Sequence, residues 1–464
     1  MTDTVDTPVQ VSRRLDCRSL DASTEGALYQ ALLDGDSRPT PEVYRRQSPI
    51  ADAPLRIPVD RYTSAEFHRI EVEKVWKKVW QMACREEDVP AVGDHITYDI
   101  AGISVLVIRS APDTVRAFRN ICRHRGRILK EYPGRDDELR CAFHGFAWNL
   151  DGSFKHAPCA WDFEHVDFDD FDLPPVQVDT WGGFVFVNLD PGCGPLLDQL
   201  GDLPSHFTGW PLEDRFKQVH VGKVLRCNWK LAQEAFMESY HVVATHPQLL
   251  PGMGDTITQY DSFGHFARAI TPNGLPSTHL KWEPTAQDMV DVHYDRAIGD
   301  PVPVPVPDGV DGRTALSDHR RAGLAGVLGD ERAAALSDAE VSDSMVYVVF
   351  PNFHPWGSFN RIVYRFRPNG NRHDQCIMEC MILSPFSGER PPASPLRMLG
   401  VDDDWTDAFE LGLLTRVFNQ DVYNLPRVQE GLESGAIDEV VLARYQETKI
   451  RAMHAELERW IARE

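Results

Sequence analysis

Between Ser64 and about Cys84 apolar residues fall at Phe67, Ile70, Val75, Val79 and Met82, a spacing that predicts a helix with Ser64 as its N-cap. The pattern changes in GDHITYDIAGISVLVIRS, residues 93–110, where alternation on either side of Gly102 predicts strands. Short strand patterns punctuated by glycine and proline continue to WGGFVFVNLDP at 181–191, so residues 56–195 read as one β-rich unit with a leading helix. Residues 1–55 are polar, dotted with proline and without sustained period, and are expected to form an N-terminal arm that carries no chemistry. Residues 196–464 mix strands with long helices. Strand-like runs occur at SMVYVVFPNF (344–353), NRIVYRF (360–366) and QCIMECMIL (375–383), and helices are expected near 405–425 and 438–462. The whole is an α+β protein of two units.

Within the second unit, DPVPVPVPDG at 300–309 favours polyproline II and opens an insertion over about 299–344, expected on the surface, with an active-site lid as the functional alternative. The chain has 464 residues, with 48 basic against 70 acidic side chains and a formal charge of −22. This excess repels phosphate backbones and anionic lipid surfaces, so a small molecule is a better partner than nucleic acid or membrane. No run approaches the roughly 20 apolar residues of a bilayer span, and MTDTVDTPVQVSRRLDCRS lacks a signal-peptide core, so a cytoplasmic location is expected. Nine cysteines between Cys17 and Cys380 are too sparse for a disulfide framework and point to reduced thiols or metal ligands. Cys376 and Cys380, on one face of a strand pattern, are expected to be small core residues. Neither a GxGxxG nor a GxxxxGK[ST] motif is present, so any reducing electrons are expected from another protein.

One candidate metal site lies in NICRHRGRILKEYPGRDDELRCAFHGFAWNLDGS, which presents Cys122-x-His124 and, sixteen residues later, Cys141-x-x-His144. Each pair sits beside a glycine, Gly126 or Gly145, as two facing ligand loops require. Two thiolates and two imidazoles suit zinc or a [2Fe-2S] cluster with histidines on one iron. The C-R-H-R-G, C-x-x-H-G and W-x-x-D-G motifs resemble the Rieske centre of ring-hydroxylating oxygenase large subunits. No extra cysteine follows either pair, unlike the disulfide-bearing Rieske proteins of membrane cytochrome complexes. Ala142 and Phe146 depart from the proline and tryptophan common in the family's second loop.

A second candidate site lies in NWKLAQEAFMESYHVVATHPQ, which places Glu234, Glu238 and His241 at i, i+4 and i+7, one face of a helix. On a continuous helix His246 would lie about 140° away, but Pro247 disfavours helical geometry at its predecessor, so unwinding can bring the two histidines together. A third ligand is expected at Asp421, which interrupts an apolar stripe of Leu414, Val417, Phe418 and Leu425, where a carboxylate is costly unless it binds a cation. Asp402, Asp403 and Asp404 are better explained as solvated or capping groups. Two histidines and one carboxylate leave open positions on Fe(II) for dioxygen.

E-x3-E-x2-H-x4-H resembles the mononuclear-iron motif of the same oxygenase family, and N-Q-D-x6-Q-x-G-L its distal carboxylate helix, extending the resemblance over residues 56–464. It implies a Rieske β-sandwich domain joined to a helix-grip, START-like catalytic domain with a curved antiparallel sheet. His241, His246 and Asp421 would bind iron, Cys122, His124, Cys141 and His144 the cluster, and Glu238 would link the two centres across a trimer interface. Many aromatic-ring dioxygenases have aspartate where this chain has Glu238, which weakens any inference to cis-dihydroxylation. The implied activity is that of a terminal oxygenase hydroxylating an aromatic or other hydrophobic small molecule. Its electrons would come from a separate NAD(P)H reductase, with a ferredoxin and a β subunit as further partners. Monooxygenation by N- or O-demethylation or aliphatic hydroxylation is the alternative, and a zinc-stabilised binding protein the alternative of another class. Pocket candidates are Phe236, Met237, Tyr240, Met253, Phe350, Asn352 and Phe353.

Overall fold

The structure, a computed structural model, describes residues 26–294 and 303–463. Ser64 does cap a helix, its hydroxyl accepting from the Phe67 amide at 3.1 Å. The helix Ala65–Glu71 passes into a π turn, Val72–Trp76, and then stops, and Gln81–Arg85 is a strand. The sequence expectation ran too far because that strand is buried on both faces. Met82 packs into one core and Ala83 and Cys84 into another, leaving no alternation to distinguish strand from helix.

Seven strands form the first sheet, in the order Gln81–Arg85, Phe184–Asn188, Pro175–Trp181, Thr114–Arg119, Ile103–Ala111, Asp94–Ile100 and Gly134–Arg135. Two tight turns set its register. Ala101 and Gly102 both have positive φ between the paired Ile100 and Ile103, as do Gly182 and Gly183 between Trp181 and Phe184. A smaller sheet of Leu139–Arg140, Ala147–Trp148 and Phe154–His156 carries one of the Cys-His loops.

The second large sheet has eight strands, in the order Gln259–Ser262, Phe266–Thr271, Ser344–Val349, Phe353–Pro355, Ile362–Pro368, Cys376–Pro385, Arg215–Leu225 and Arg397–Leu399. All neighbours are antiparallel except the last pair. The three strand-like runs of the sequence therefore fall on real strands. Period-two alternation divides the faces: Tyr364 and Phe366 join the core beneath the helices, while Val363 packs with Phe353 and Phe184 on the opposite side. Cys376 and Cys380 are buried core residues, as expected, with Cys376 Sγ 4.0 Å from Cys227 Sγ. The long helices run Leu414–Glu433 and Thr448–Ile461; residues 405–411 form short 3-10 turns instead.

A buried polar network joins the two large sheets. Glu379 accepts from His220 Nε2 at 2.9 Å and Arg367 Nε at 3.1 Å and pairs with Arg365, whose guanidinium also donates to the Met82 carbonyl at 3.1 Å. Burial works against ionising Glu379, yet the two arginines hold its pKa well below the usual carboxylate range.

Residues 26–55 are not a loose arm, whereas residues 1–25 lie outside the described residues. Tyr29, Leu32, Leu33 and Tyr44 are buried against the eight-stranded sheet, and Tyr29 Oη donates to Asp343 at 2.8 Å. The insertion is equally structured where described, with helices Gly312–Leu328, Asp330–Ala335 and Asp338–Ser342; part of the proline run, residues 300–302, lies outside the described residues. Arg313 clamps the insertion to the N-terminal segment through Asp343 at 2.6 Å and Asp36 at 3.1 Å, all three nearly inaccessible to water. Arg313→Ala leaves two buried carboxylates without their cation. It is expected to lower stability by about 3–5 kcal/mol, read as a shifted urea midpoint. An unchanged midpoint would show that the clamp contributes nothing.

Candidate functional site

The two Cys-His loops repeat one backbone turn. The Cys122 amide donates to the Arg127 carbonyl at 2.7 Å and Gly126 N to the Cys122 carbonyl at 2.9 Å; Cys141 and Phe146 at 2.8 Å, and Gly145 and Cys141 at 3.0 Å, do the same. Gly126 and Gly145 hold φ of +74° and +78°, a conformation that other residues rarely adopt. Both cysteines are buried, and burial raises the Cys122 thiol pKa while the N–H groups of His124 and Arg125 oppose that rise. The rings of His124 and His144 lie 4.8 Å apart, and Phe146 stacks on His124 at 4.6 Å, which fixes that ring's plane. His144 is exposed at the surface beside Phe143.

These residues fit a two-iron cluster better than a single ion. His124 Nδ1 is buried without a hydrogen-bond partner, as a nitrogen reserved for a metal would be. The four loop ligands do not close to the spacing of one ion's shell. Among the described residues the group that does is His241, His246 and Asp421, whose ligand atoms lie within 4.8 Å of one another.

At that group the chain departs from the continuous helix expected. The helix Trp229–Glu234 gives way to i−3 bonds from Phe236 and Met237, each at 3.0 Å, the Ser239 amide donates to Tyr260 Oη at 2.9 Å, and a second short helix, Val242–Thr245, follows. Glu234 therefore does not share a face with the histidines; it accepts from Tyr62 Oη at 3.1 Å and His454 Nε2 at 2.9 Å. Glu238 turns back, receiving the His241 amide at 2.9 Å and His241 Nδ1 at 2.7 Å. The backbone unwinds at His246 (φ −125°, ψ 52°) ahead of Pro247, bringing its Nε2 to 3.0 Å from Asp421 Oδ1, with His241 Nε2 at 3.7 Å. His246 Nδ1 donates to Gln420 Oε1 at 2.8 Å, a partner the sequence reading missed although it adjoins Asp421. With both Nδ1 positions donating, two Nε2 lone pairs face a buried carboxylate, and three such groups call for a cation. Burial disfavours charge on His241, but Glu238 and then Asp421 pull its pKa above the ordinary value.

The group opens on a cavity of about 1510 Å³ whose walls include Phe236, Met237 and Met253, three of the predicted pocket residues. Tyr240 is instead 56% exposed, and Phe353 lies on the other sheet face against Phe184 and Phe186. Phe350 and Asn352 are buried away from the lining. The cavity also takes Leu324 and Val327 from the insertion helix, and Trp356 and Tyr364 from the sheet, none of them singled out by sequence.

A domain of twinned Cys-His loops, joined to one in which helices flanking an antiparallel sheet bring together two histidines and an aspartate, defines a protein built for two metal centres. The ring hydroxylating alpha subunit (catalytic domain) family model matches residues 206–463 and the Rieske [2Fe-2S] domain model residues 79–167. The chain belongs to this family of Rieske non-heme iron oxygenases. It is 30% identical to the carnitine monooxygenase oxygenase subunit of Escherichia coli K12 over 217 residues, 45% of this chain and 55% of that protein. Against the glycine betaine monooxygenase oxygenase subunit of Pseudomonas aeruginosa PAO1 it is 32% identical over 202 residues, 43% of this chain and 46% of that protein. The chain thus spans about half the length of the curated relatives it matches. A solved quaternary ammonium Rieske monooxygenase, described with carnitine oxidation and inter-subunit electron transfer, shares the fold with a TM-score of 0.63 at 18% identity, covering 89% of this chain and 99% of that one. A [2Fe-2S] cluster and a mononuclear iron are the family's cofactors. Among the described residues no helix is long and apolar enough to cross a membrane.

Proposed function

We propose that this chain is the terminal oxygenase component of a multicomponent system and oxidises a small molecule carrying a quaternary ammonium group. The observation that carries the reading is the cation-demanding group His241, His246 and Asp421 at the wall of a cavity with aromatic lining. Cys122, His124, Cys141 and His144 hold the cluster, and His241, His246 and Asp421 hold Fe(II). The bound metals supply single-electron storage and dioxygen activation. The protein's own part is positional. Glu238 and Gln420 orient the two imidazoles, and the cavity walls exclude water and seat the substrate.

Relatives named for carnitine and glycine betaine support the substrate class. So does the aromatic wall, where Phe236 and Tyr364 meet edge-on at 5.1 Å and Trp356 and Tyr364 at 6.0 Å, since ring faces attract alkylammonium groups. The working assembly is a trimer in which the cluster of one subunit serves the iron of its neighbour, with a separate NAD(P)H reductase as electron donor and a cytoplasmic location. Turnover under labelled dioxygen tests the reaction. One labelled oxygen per product is expected, whereas two labels on an aromatic product would replace this reading with ring dihydroxylation.

Gln420→Leu removes the acceptor that orients His246 without touching a ligand atom. Loss of such an outer partner is expected to weaken mononuclear iron binding by about 10–100-fold, read as faster loss to a chelator at constant sulfide content. Iron retention equal to that of the unaltered protein would remove Gln420 from this role.

A further inference from the structure

Lys449 is fully buried on the C-terminal helix Thr448–Ile461, and its side chain lines the same cavity as the histidine–aspartate group. Its ammonium has three N–H donors, yet the structure gives it one acceptor, the Val346 carbonyl at 3.2 Å. Among the described residues no carboxylate lies within ion-pair distance of it. The other buried lysines are better served. Lys230 pairs with Glu71 at 2.6 Å, and Lys223 donates to three carbonyls, those of Gly400, Val401 and Asp403.

A second unused donor belongs to the residue paired across the sheet with Val346. Val346 bridges to Trp356 across the sheet, both residues line the cavity, and Trp356 Nε1 is buried without a partner. Residues opposed in this way project from the same sheet face. Two donors with spare capacity at one strand position, and no protein anion to fill it, make a site for an acceptor of negative charge.

We infer that Lys449 and Trp356 form the subsite that receives a carboxylate of the substrate, so that this enzyme selects zwitterionic or anionic molecules over neutral or purely cationic ones. Burial pulls the Lys449 pKa down to about 7, against the attraction of Glu238, and an anion seated beside it would favour the charged form. The inference deepens the oxygenase reading. Among the compounds for which relatives are named, it favours those with a carboxylate, carnitine and glycine betaine, over choline, which carries an alcohol.

Calorimetric titration of the iron-loaded holoenzyme tests this without turnover, using glycine betaine against its primary amide, and butyrate against butyramide. The second pair has no quaternary ammonium, so it reads the carboxylate subsite even if the ammonium reading fails; the oxygenase reading stands or falls separately on oxygen incorporation. In each pair the acid is expected to bind about tenfold more tightly than the amide. Lys449→Met should bring that ratio to about one, and Trp356→Phe, which keeps the ring face, should reduce it by about threefold, with cluster absorbance unchanged in both. Lys449→Gln, which can still donate to Val346, decides the matter if Lys449→Met does not fold, and should lose the preference too. Equal binding of acid and amide by the unaltered enzyme, no measurable binding of either acid, or an acid preference that survives in the Lys449 variants overturns the inference.

Discussion

Asp421→Ala is expected to lose mononuclear iron and with it turnover, by more than the about 10–100-fold typical of changes outside the ligand shell, while cluster absorbance stays unchanged. The effect follows from where this carboxylate lies. It is 5% exposed, on the inward stripe of Leu414–Glu433, and lies 3.0 Å from one imidazole nitrogen and 3.7 Å from another. Without a bound cation it is a costly group in a costly place, so its removal should not unfold the protein and is expected to leave the thermal midpoint of the metal-free form level or higher. The cluster loops belong to the other domain, which separates the two losses. Iron analysis, sulfide analysis and product formation on one preparation measure all three quantities. Retained activity would make Asp421 the wrong carboxylate.

The second large effect concerns Glu238. Its two oxygens fix His241 through the backbone amide and Nδ1, and the proposed trimer requires that its remaining 9% of exposed surface meet a neighbouring subunit's histidine. Glu238→Gln keeps the shape and an acceptor for Nδ1 while removing the charge; Glu238→Ala removes the link. Glu238→Gln should retain cluster and iron, and product formed in a single turnover of the chemically reduced protein should fall by about tenfold or more; Glu238→Ala, which also removes the partner of His241 Nδ1, is expected to weaken iron binding by about 10–100-fold and is compared after loading with excess Fe(II). Glu238→Ala chains mixed with His144→Ala chains provide the sharper check. In a ring where one subunit's cluster serves the next subunit's iron, an intact cluster from the first chain meets an intact Glu238 and iron site on the second, so mixed trimers should recover part of the activity. No recovery despite proven subunit exchange would falsify the inter-subunit arrangement.

Much of the site was legible in sequence because metal chemistry imposes short spacings and odd residues. Cys-x-His and Cys-x-x-His beside glycines prescribe a turn, and Asp421 stood out as a charge in an apolar stripe. Pro247 predicted the unwinding at His246, and the alternation on either side of Gly102 predicted the strands that flank it. What escaped depends on contacts distant in sequence. After Glu234 the helix gives way to i−3 bonds and Tyr260 captures the Ser239 amide, and nothing between 229 and 241 announces that contact. Residues 26–55 looked like an arm because their few apolar groups have no period, and ion pairs such as Asp36 with Arg313 secure them only after the insertion folds. Lys449 did leave a trace, since it shares the buried face of its helix with Met453 and Leu457, the same anomaly that singled out Asp421.

One chain should carry two separate iron sites of different kinds, and metal and acid-labile sulfide analysis of anaerobically prepared protein measures both. About three irons and about two sulfides per chain are expected, falling to about two irons with sulfide unchanged after mild chelation. A protein that takes up zinc in place of iron and contains no sulfide, or one whose iron never exceeds its sulfide after reconstitution with Fe(II), would contradict it.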